Sequence, residues 1–287
     1  MSNEALAEIK HDVAGRKAVF ERTVPFVQRA TPWCMGCGYG ALARAVIEEI
    51  EALKPKKMIA TIDTACLEFI EAHLPCDNVH AGHGRAVSVA RAVKKVHPDA
   101  LVVAFQGDGG MLNEGLNEVM HAAAAGESIC VIMGNNGVLG DTGGQFTVAA
   151  EPGLVTSSSP LGKNPKHQGM PIKIADILAT FPTAAYVARG STHDPAYAYR
   201  LQKMIRKAFQ AANENAGFVL VDAVTTCPTG WGMTSVEAVR YAEHRIEGYY
   251  PVGVLKDWEH GEKVEMPSFI SSTQRVEGMK TVPQPTH

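Results

Sequence analysis

Apolar positions along the chain fall into two kinds of block, and the two kinds alternate. Across 40–53, Leu42, Ala45, Val46, Ile50 and Leu53 keep helical spacing. Met58–Ile62 is a short unbroken apolar run behind Lys54-Pro-Lys-Lys and predicts a strand. Ala86–Val96 is helical again, with Val89, Ala90 and Val93 on one face, and His97-Pro98-Asp99 ends it. The run at 101–105 predicts a strand of the kind a parallel sheet buries on both faces. After a helix over about 113–125, the run at 129–133 predicts another. Residues 141–172, rich in Gly, Pro, Ser and Thr, predict a long functional loop. A helix near 172–181, a strand near 185–188, a long helix over 195–214 and a strand at Phe218–Val224 complete the series.

This alternation predicts an α/β fold with a doubly wound, mostly parallel sheet. Right-handed crossovers then put ligands at the carboxyl ends of the strands. Residues 1–30 are polar and mildly amphipathic and are expected to form an N-terminal arm, 31–256 one α/β domain, and 257–287 an extended, proline-bearing tail. Of the 287 residues, 46% are hydrophobic and 20% charged, a globular composition. The 27 basic and 30 acidic residues give a net charge of −3, which supplies no electrostatic footprint for nucleic acid or an anionic membrane. With no basic-then-apolar leader and no apolar run near the ~20 residues of a membrane span, a cytoplasmic protein is expected.

Two strands end in polar, glycine-bearing turns: Gly107-Asp108-Gly109-Gly110 and Asn135-Asn136-Gly137-Val138. If those strands are neighbours, Asp108 and Asn136 meet at the carboxyl edge of the sheet. A carboxylate and an amide oxygen suit Mg²⁺, which takes its remaining ligands from phosphate and water. The glycines let backbone approach a diphosphate, and the following helix turns its N-terminal amides toward it. Each turn alone is also what an ordinary β–α connection contains. Dinucleotide and P-loop fingerprints are missing.

The six cysteines are 34, 37, 66, 76, 130 and 227. Cys34-Met-Gly-Cys37 puts two thiols in one turn, while Cys66 and Cys227 each follow a predicted strand, so all four can meet at one sheet edge. A four-thiolate site takes structural zinc or an iron–sulfur cluster, and spacing alone leaves both open. Cys76 and Cys130 are expected to be inert, Cys130 as a small hydrophobe within a strand.

The span from Gly107-Asp108-Gly109 to Asn136 resembles the thiamine-diphosphate motif. By that resemblance Asp108 and Asn136 are Mg²⁺ ligands and Val138 adds its carbonyl. Taken in order, Cys34-Met-Gly-Cys37-Gly, Cys66, His83-Gly84-Arg85-Ala86, Gly107-Asp108-Gly109, Asn136-Gly137-Val138, Thr142-Gly143-Gly144-Gln145 and Cys227-Pro228-Thr229 resemble the β subunit of 2-oxoacid:ferredoxin oxidoreductases over about 25–257. Residues 227–257 look most like the ketoisovalerate-type branch. The resemblance implies thiamine diphosphate, Mg²⁺ and a [4Fe–4S] cluster on Cys34, Cys37, Cys66 and Cys227. It also implies 2-oxoacid and coenzyme A as substrates, and electron transfer to ferredoxin or related γ/δ subunits. An α subunit would complete the site, because no second domain carrying the usual activating glutamate is found in the chain. His83 either hydrogen-bonds near the cofactor or caps its turn; Thr142 and Gln145 either line the pocket or face solvent. Leu67-Glu68-Phe69, where relatives acting on 2-oxoglutarate tend to carry small residues and then Lys or Arg, predicts an apolar substrate pocket unless Phe69 is core. A non-oxidative thiamine decarboxylase subunit and a zinc-stabilised binding protein are the rival classes.

Overall fold

Strands that lie between two helical layers have no solvent face, and here they are mainly apolar, with the polar exceptions Thr61, Gln106, Asn135, Arg189, Ser191 and Asp222 buried as well. In the computed structural model, which describes residues 31–259, β1 (Met58–Ile62), β3 (Leu101–Gly107), β4 (Cys130–Asn135), β7 (Ala184–Ser191) and β8 (Phe218–Val224) are buried at every position. With β2 (Asp77–His80) and β9 (Gly253–Lys256) at its edges, the sheet has seven strands in the order β2-β1-β3-β4-β8-β7-β9. All its pairings are parallel except that of β9 (Gly253–Lys256), which runs antiparallel to β7. A separate two-stranded hairpin joins β5 (Val138–Leu139) to β6 (Gln145–Phe146).

One face of the sheet carries α1 (Tyr39–Leu53) and α6 (Pro195–Asn213), which pack on each other. Their apolar residues and those of β1, β3 and β4 form one core. The other face carries α2 (Ala86–Val96), α3 (Leu116–Ala124) and α5 (Ile174–Leu178), with Tyr250 and Ile246 closing the second core. Asp194 caps α6 by accepting the Ala196 N–H at 2.8 Å, with Pro195 in the first turn. Thr234 and Glu237 form a reciprocal capping box at the start of α8 (Ser235–Gly248). The short helices α4 (Pro165–Gln168) and α7 (Pro228–Trp231) lie in connections.

Several expectations change. β2 (Asp77–His80) is a polar strand exposed at all four positions, so it had no hydrophobic period to find. It joins the edge through backbone pairing with β1 alone. The helix expected over 113–125 opens instead with a π-helical turn, Gly110–Glu114, and resumes as α3 after Gly115. The segment 141–172 is the expected long loop, broken only by β6 and a short helix at Pro165–Gln168, but it is packed against the body: Thr147, Ala149, Ala150, Glu151, Leu154 and Lys163 are buried. The arm 1–30 and residues 260–287 lie outside the described residues. The boundary expected at 256 falls short of Trp258, which is 3% exposed and belongs to the first core.

β1 and β3 are neighbours, yet the chain leaves β1 toward β2 on one side and β3 toward β4 on the other. Their carboxyl-end connections therefore diverge, and a crevice opens between them. On the far side of β4, the fully buried Arg189 of β7 donates from Nε to Asp222 of β8 at 2.7 Å and also pairs with Asp176. Arg189→Met leaves Asp222 as an uncompensated buried charge, and urea unfolding is expected to show a loss of about 3–5 kcal/mol. A loss under about 1 kcal/mol would mean water already screens the pair.

Candidate functional site

The crevice between β1 and β3 holds a cleft of about 350 Å³. One wall is Thr64, Ala65 and Cys66, just beyond β1; the floor is Gly107 to Gly110. Asn136, Val138, Leu139, Gly140, Asp141 and Thr142 close the other side, and His83 and Glu114 stand at one end.

Asp108 is 1% exposed. Its Oδ2 accepts the Gly137 N–H at 2.9 Å and the Thr147 hydroxyl at 2.6 Å, while Oδ1 has only a long 3.5 Å contact to the Asn136 N–H. Burial pushes this carboxyl up to about 6, opposed by Thr147 and by the charge of Arg245. Asn136 is held from both ends: its amide nitrogen donates to the Tyr39 hydroxyl at 3.2 Å, its backbone carbonyl accepts from the Trp231 indole at 2.9 Å, and Oδ1 accepts the Val138 N–H at 2.9 Å. Asp108 Oδ1 and the second lone pair of Asn136 Oδ1 are thus hard oxygen donors with spare capacity beside one cleft. That donor set fits Mg²⁺.

Beneath the Asn135–Asn136 turn lies Arg245 of α8, with no solvent contact. It donates to Glu151 Oε2 at 2.9 Å, to the Asn135 carbonyl at 3.1 Å and to Asn135 Oδ1 at 3.0 Å. The sequence gives no period-based sign of this arginine, or of Thr147, as partners of the turn.

The three cysteine-bearing segments do converge. The Trp33 indole donates to the Cys66 carbonyl at 2.7 Å, the Gly38 N–H to the Thr226 carbonyl at 3.0 Å, and the Thr226 hydroxyl to the Gly36 carbonyl at 2.6 Å. Cys66 and Cys227 each place Sγ 3.5 Å from the point where a Cβ on Gly140 would stand, so the two sulfurs are within twice that distance of each other. Burial lifts the Cys37 thiol to about 12 and the Cys66 thiol to about 11. Repulsion from Cys227 and Cys34 adds to both, and Cys66 also feels Asp141. Burial also raises Cys227, and neighbouring thiols that resist ionising, as Cys37, Cys66 and Cys227 do, are stable as thiolates only around a cation. Among the described residues no three His, Cys, Asp or Glu side chains close around one point as a single ion requires. Zinc would hold each sulfur about 2.3 Å from such a point, whereas a cluster spreads its irons between them. Cys130 is buried within β4, and Cys76 lies with Lys54, Lys56 and Lys57 at the amino side of the sheet, away from the four.

Of the other expected residues, His83 and Thr142 line the cleft but Gln145 does not. Gln145 accepts the Thr142 hydroxyl at 2.6 Å and returns a bond to the Thr142 carbonyl at 2.8 Å, so it braces the hairpin turn. Leu67 is 1% exposed and belongs to the core, Glu68 faces His80 at 3.6 Å, and neither they nor Phe69 line the cleft. The pocket argument built on Leu67-Glu68-Phe69 therefore fails: the chain turns into a 3₁₀ helix at Cys66–His73, which aims these side chains elsewhere. Asp63, Tyr39, Glu114 and Asp141 were not anticipated. Asp63 had a readable signal, a charged residue directly closing a fully apolar strand.

A glycine-floored cleft at the switch point of a parallel sheet, with a carboxylate and an amide at adjoining strand ends, defines the diphosphate-binding class of thiamine enzymes. Residues 63–223 match the family model of the thiamine pyrophosphate enzyme C-terminal TPP-binding domain. The chain is 33% identical to the 2-oxoacid:ferredoxin oxidoreductase subunit beta of Saccharolobus solfataricus, over 75% of this chain and 67% of that protein. It is 32% identical to ketoisovalerate oxidoreductase subunit VorA of Methanothermobacter thermautotrophicus over 83% of this chain, and spans about half (50%) of that relative's length. The 2-oxoglutarate synthase subunit KorB of Archaeoglobus fulgidus is 32% identical over 69% of this chain and 70% of its own length. In fold it is similar to 2-oxoglutarate:ferredoxin oxidoreductase from Magnetococcus marinus, with a TM-score of 0.67 at 23% identity, covering 85% of this chain and 88% of that one. The chain belongs to the thiamine pyrophosphate enzyme family, in the branch of 2-oxoacid:ferredoxin oxidoreductase β subunits.

Asp108→Ala is expected to abolish thiamine diphosphate binding, read by cofactor content after desalting, while thermal unfolding stays cooperative. Full cofactor retention would remove Asp108 from the metal site. Gly110→Ala is expected to weaken the same binding and lower stability, because its Cβ would stand 1.9 Å from Asp63 Oδ2. Overpacking of this sort costs about 1–3 kcal/mol.

Proposed function

We propose that this chain is the thiamine-binding subunit of a CoA-acylating 2-oxoacid oxidoreductase, which converts a 2-oxoacid and coenzyme A to acyl-CoA and CO₂ and passes two electrons to ferredoxin or a related acceptor. The observation that carries this reading is Cys66, which lines the cleft beside Asp108 and Asn136 and also stands among the four thiols. A purely non-oxidative enzyme has no use for thiols gathered against its cofactor site. Bound thiamine diphosphate supplies the carbanion-stabilising chemistry of decarboxylation, and a [4Fe–4S] cluster supplies one-electron steps.

The residues of this chain bind, orient and shield. Asp108, Asn136 and the Val138 carbonyl would hold Mg²⁺ and through it the diphosphate; Gly109 and Gly110 let backbone approach it. Cys34, Cys37, Cys66 and Cys227 would hold the cluster. Leu139, whose Cδ2 stands 2.2 Å from a Cβ position on Gly109, fills the wall opposite the turn and keeps water from it. His83 and Thr142 present polar groups at the cleft ends. An α subunit carrying the activating carboxylate would complete the site, and γ/δ or ferredoxin-like subunits would take the electrons.

The substrate we propose is an apolar, branched-chain or aryl, 2-oxoacid. Among the described residues no lysine or arginine lines the cleft, while Asp108, Glu114 and Asp141 do. A second substrate carboxylate would be desolvated beside like charges.

Steady-state kinetics of the assembled complex should favour 2-ketoisovalerate over 2-oxoglutarate by roughly a hundredfold in kcat/KM, the equivalent of a few kcal/mol at the transition state. Equal values would mean that a cation from another subunit meets the distal carboxylate. Serine at Cys34, Cys37, Cys66 or Cys227 should bleach the iron–sulfur absorption, whereas Cys76→Ser and Cys130→Ser should leave it intact. Retention of the full spectrum without Cys66 would break the link between cleft and cluster.

A further inference from the structure

Gly134 lies inside β4, a strand buried at every position, where a glycine gives up side-chain packing. A Cβ there would stand 2.4 Å from Tyr39 Cε1 and 2.9 Å from its Cζ. The register partner of Gly134 on β3 is Gly107, whose Cβ position is 3.7 Å from the Tyr39 hydroxyl. The two glycines leave a slot across the carboxyl ends of β3 and β4, and the ring of Tyr39, 4% exposed, fills it.

Tyr39 is the first residue of α1 and follows Cys37 by two positions, and its backbone N–H bonds the Cys37 sulfur. At the other end of the residue, the hydroxyl donates to the Gly134 carbonyl at 3.4 Å. A carbonyl only accepts, so the phenol oxygen is left to accept from the Asn136 amide at 3.2 Å. Asn136 must therefore turn its NH₂ toward Tyr39. The Val138 N–H, which only donates, meets the opposite end of the same amide at 2.9 Å and requires the oxygen there. Both contacts give Asn136 one sense. That sense matters, because a turned amide would offer a cation a donor in place of an acceptor.

We propose that Tyr39 is a positioning residue for the metal site: seated in the Gly107–Gly134 slot, its hydroxyl locks the Asn136 amide so that Oδ1 is presented to the divalent cation that carries the ligand's diphosphate. The same residue ties that amide to the cysteine turn, since it reaches from the Cys37 sulfur to Asn136. The inference rests on reading the cleft as the thiamine site and concerns how that site holds its metal.

Tyr39→Phe removes the hydroxyl and keeps the ring in its slot. Mn²⁺ serves as the probe in place of Mg²⁺: its free signal in room-temperature electron paramagnetic resonance falls as it binds with thiamine diphosphate to the assembled complex. Apparent Mn²⁺ affinity is expected to fall about tenfold or more in Tyr39→Phe, the size typical when the partner of a metal ligand is removed. A second readout follows the amide itself, in the oxidised full chain labelled with ¹⁵N-asparagine. There the side-chain NH₂ resonances of Asn136, assigned by their absence in Asn136→Asp, should shift in Tyr39→Phe and lose protection from solvent exchange. Wild-type Mn²⁺ affinity in Tyr39→Phe overturns the proposal. Weakened affinity with the Asn136 resonances unmoved overturns it too, because the hydroxyl would then act on general packing and not on the amide. A wild-type complex that takes up no thiamine diphosphate would instead sink the thiamine reading, and the Asn136 resonances would still decide whether Tyr39 holds the amide.

Discussion

Two arginines without solvent contact, Arg189 and Arg245, meet through Asn135 and Asp222 and fix where the carboxyl ends of β4, β7 and β8 stop. The Asn135 amide donates to Asp222 Oδ1 at 3.1 Å, so the guanidinium under the cofactor turn and the one between β7 and β8 belong to a single buried network. Glu151 joins it from the segment after the hairpin, Tyr241 from α8 bonds that same carboxylate, and Tyr250 stacks near both guanidinium groups. Such a network is worth little as net stability, because desolvating the charges offsets most of their attraction. Its effect is geometric. Each member has one arrangement in which every charge is met, and that arrangement holds Asn136 and Gly137 against Asp108.

The second constraint is topological. The chain leaves β1 and β3 in opposite directions, and the same divergence that opens the cleft carries Cys66 to its rim. Residues 63–223, the span that matches the thiamine domain, contain Cys66 but not Cys34, Cys37 or Cys227. Those three come from segments on either side of that span. Short hydrogen bonds from Trp33, Gly38 and Thr226 bring them to Cys66. The thiol group is thus assembled at the edge of the diphosphate fold from elements added before and after it.

Much of this was legible in the sequence, for identifiable reasons. The central strands are buried on both faces, so their apolar runs match β1 and β8 to the residue, and the motif turns follow directly. What hydrophobic periodicity missed was held by other forces. β2 is placed by backbone pairing with β1 and by His80, which faces Glu68, Glu71 and the Thr64 hydroxyl, and no hydrophobic period registers either. The start of α8 carried a readable capping signature, Thr234-Ser-Val-Glu237, that apolar spacing does not register. Arg245 and Thr147 reach the site across ninety or more and thirty-nine residues of chain respectively, and no local pattern encodes such pairings. The Leu67-Glu68-Phe69 argument failed because a 3₁₀ turn, not an extended chain, follows Cys66.

Gly140 has a particular consequence. A methyl group there would sit 3.5 Å from the sulfurs of both Cys66 and Cys227, which is ordinary contact and involves no clash with the polypeptide. The bare chain would therefore tolerate alanine. The missing methyl would matter to a cluster held between the sulfurs, whose room a side chain at this position would narrow. A variant here would be silent to every measurement of folding and visible only when the site is filled.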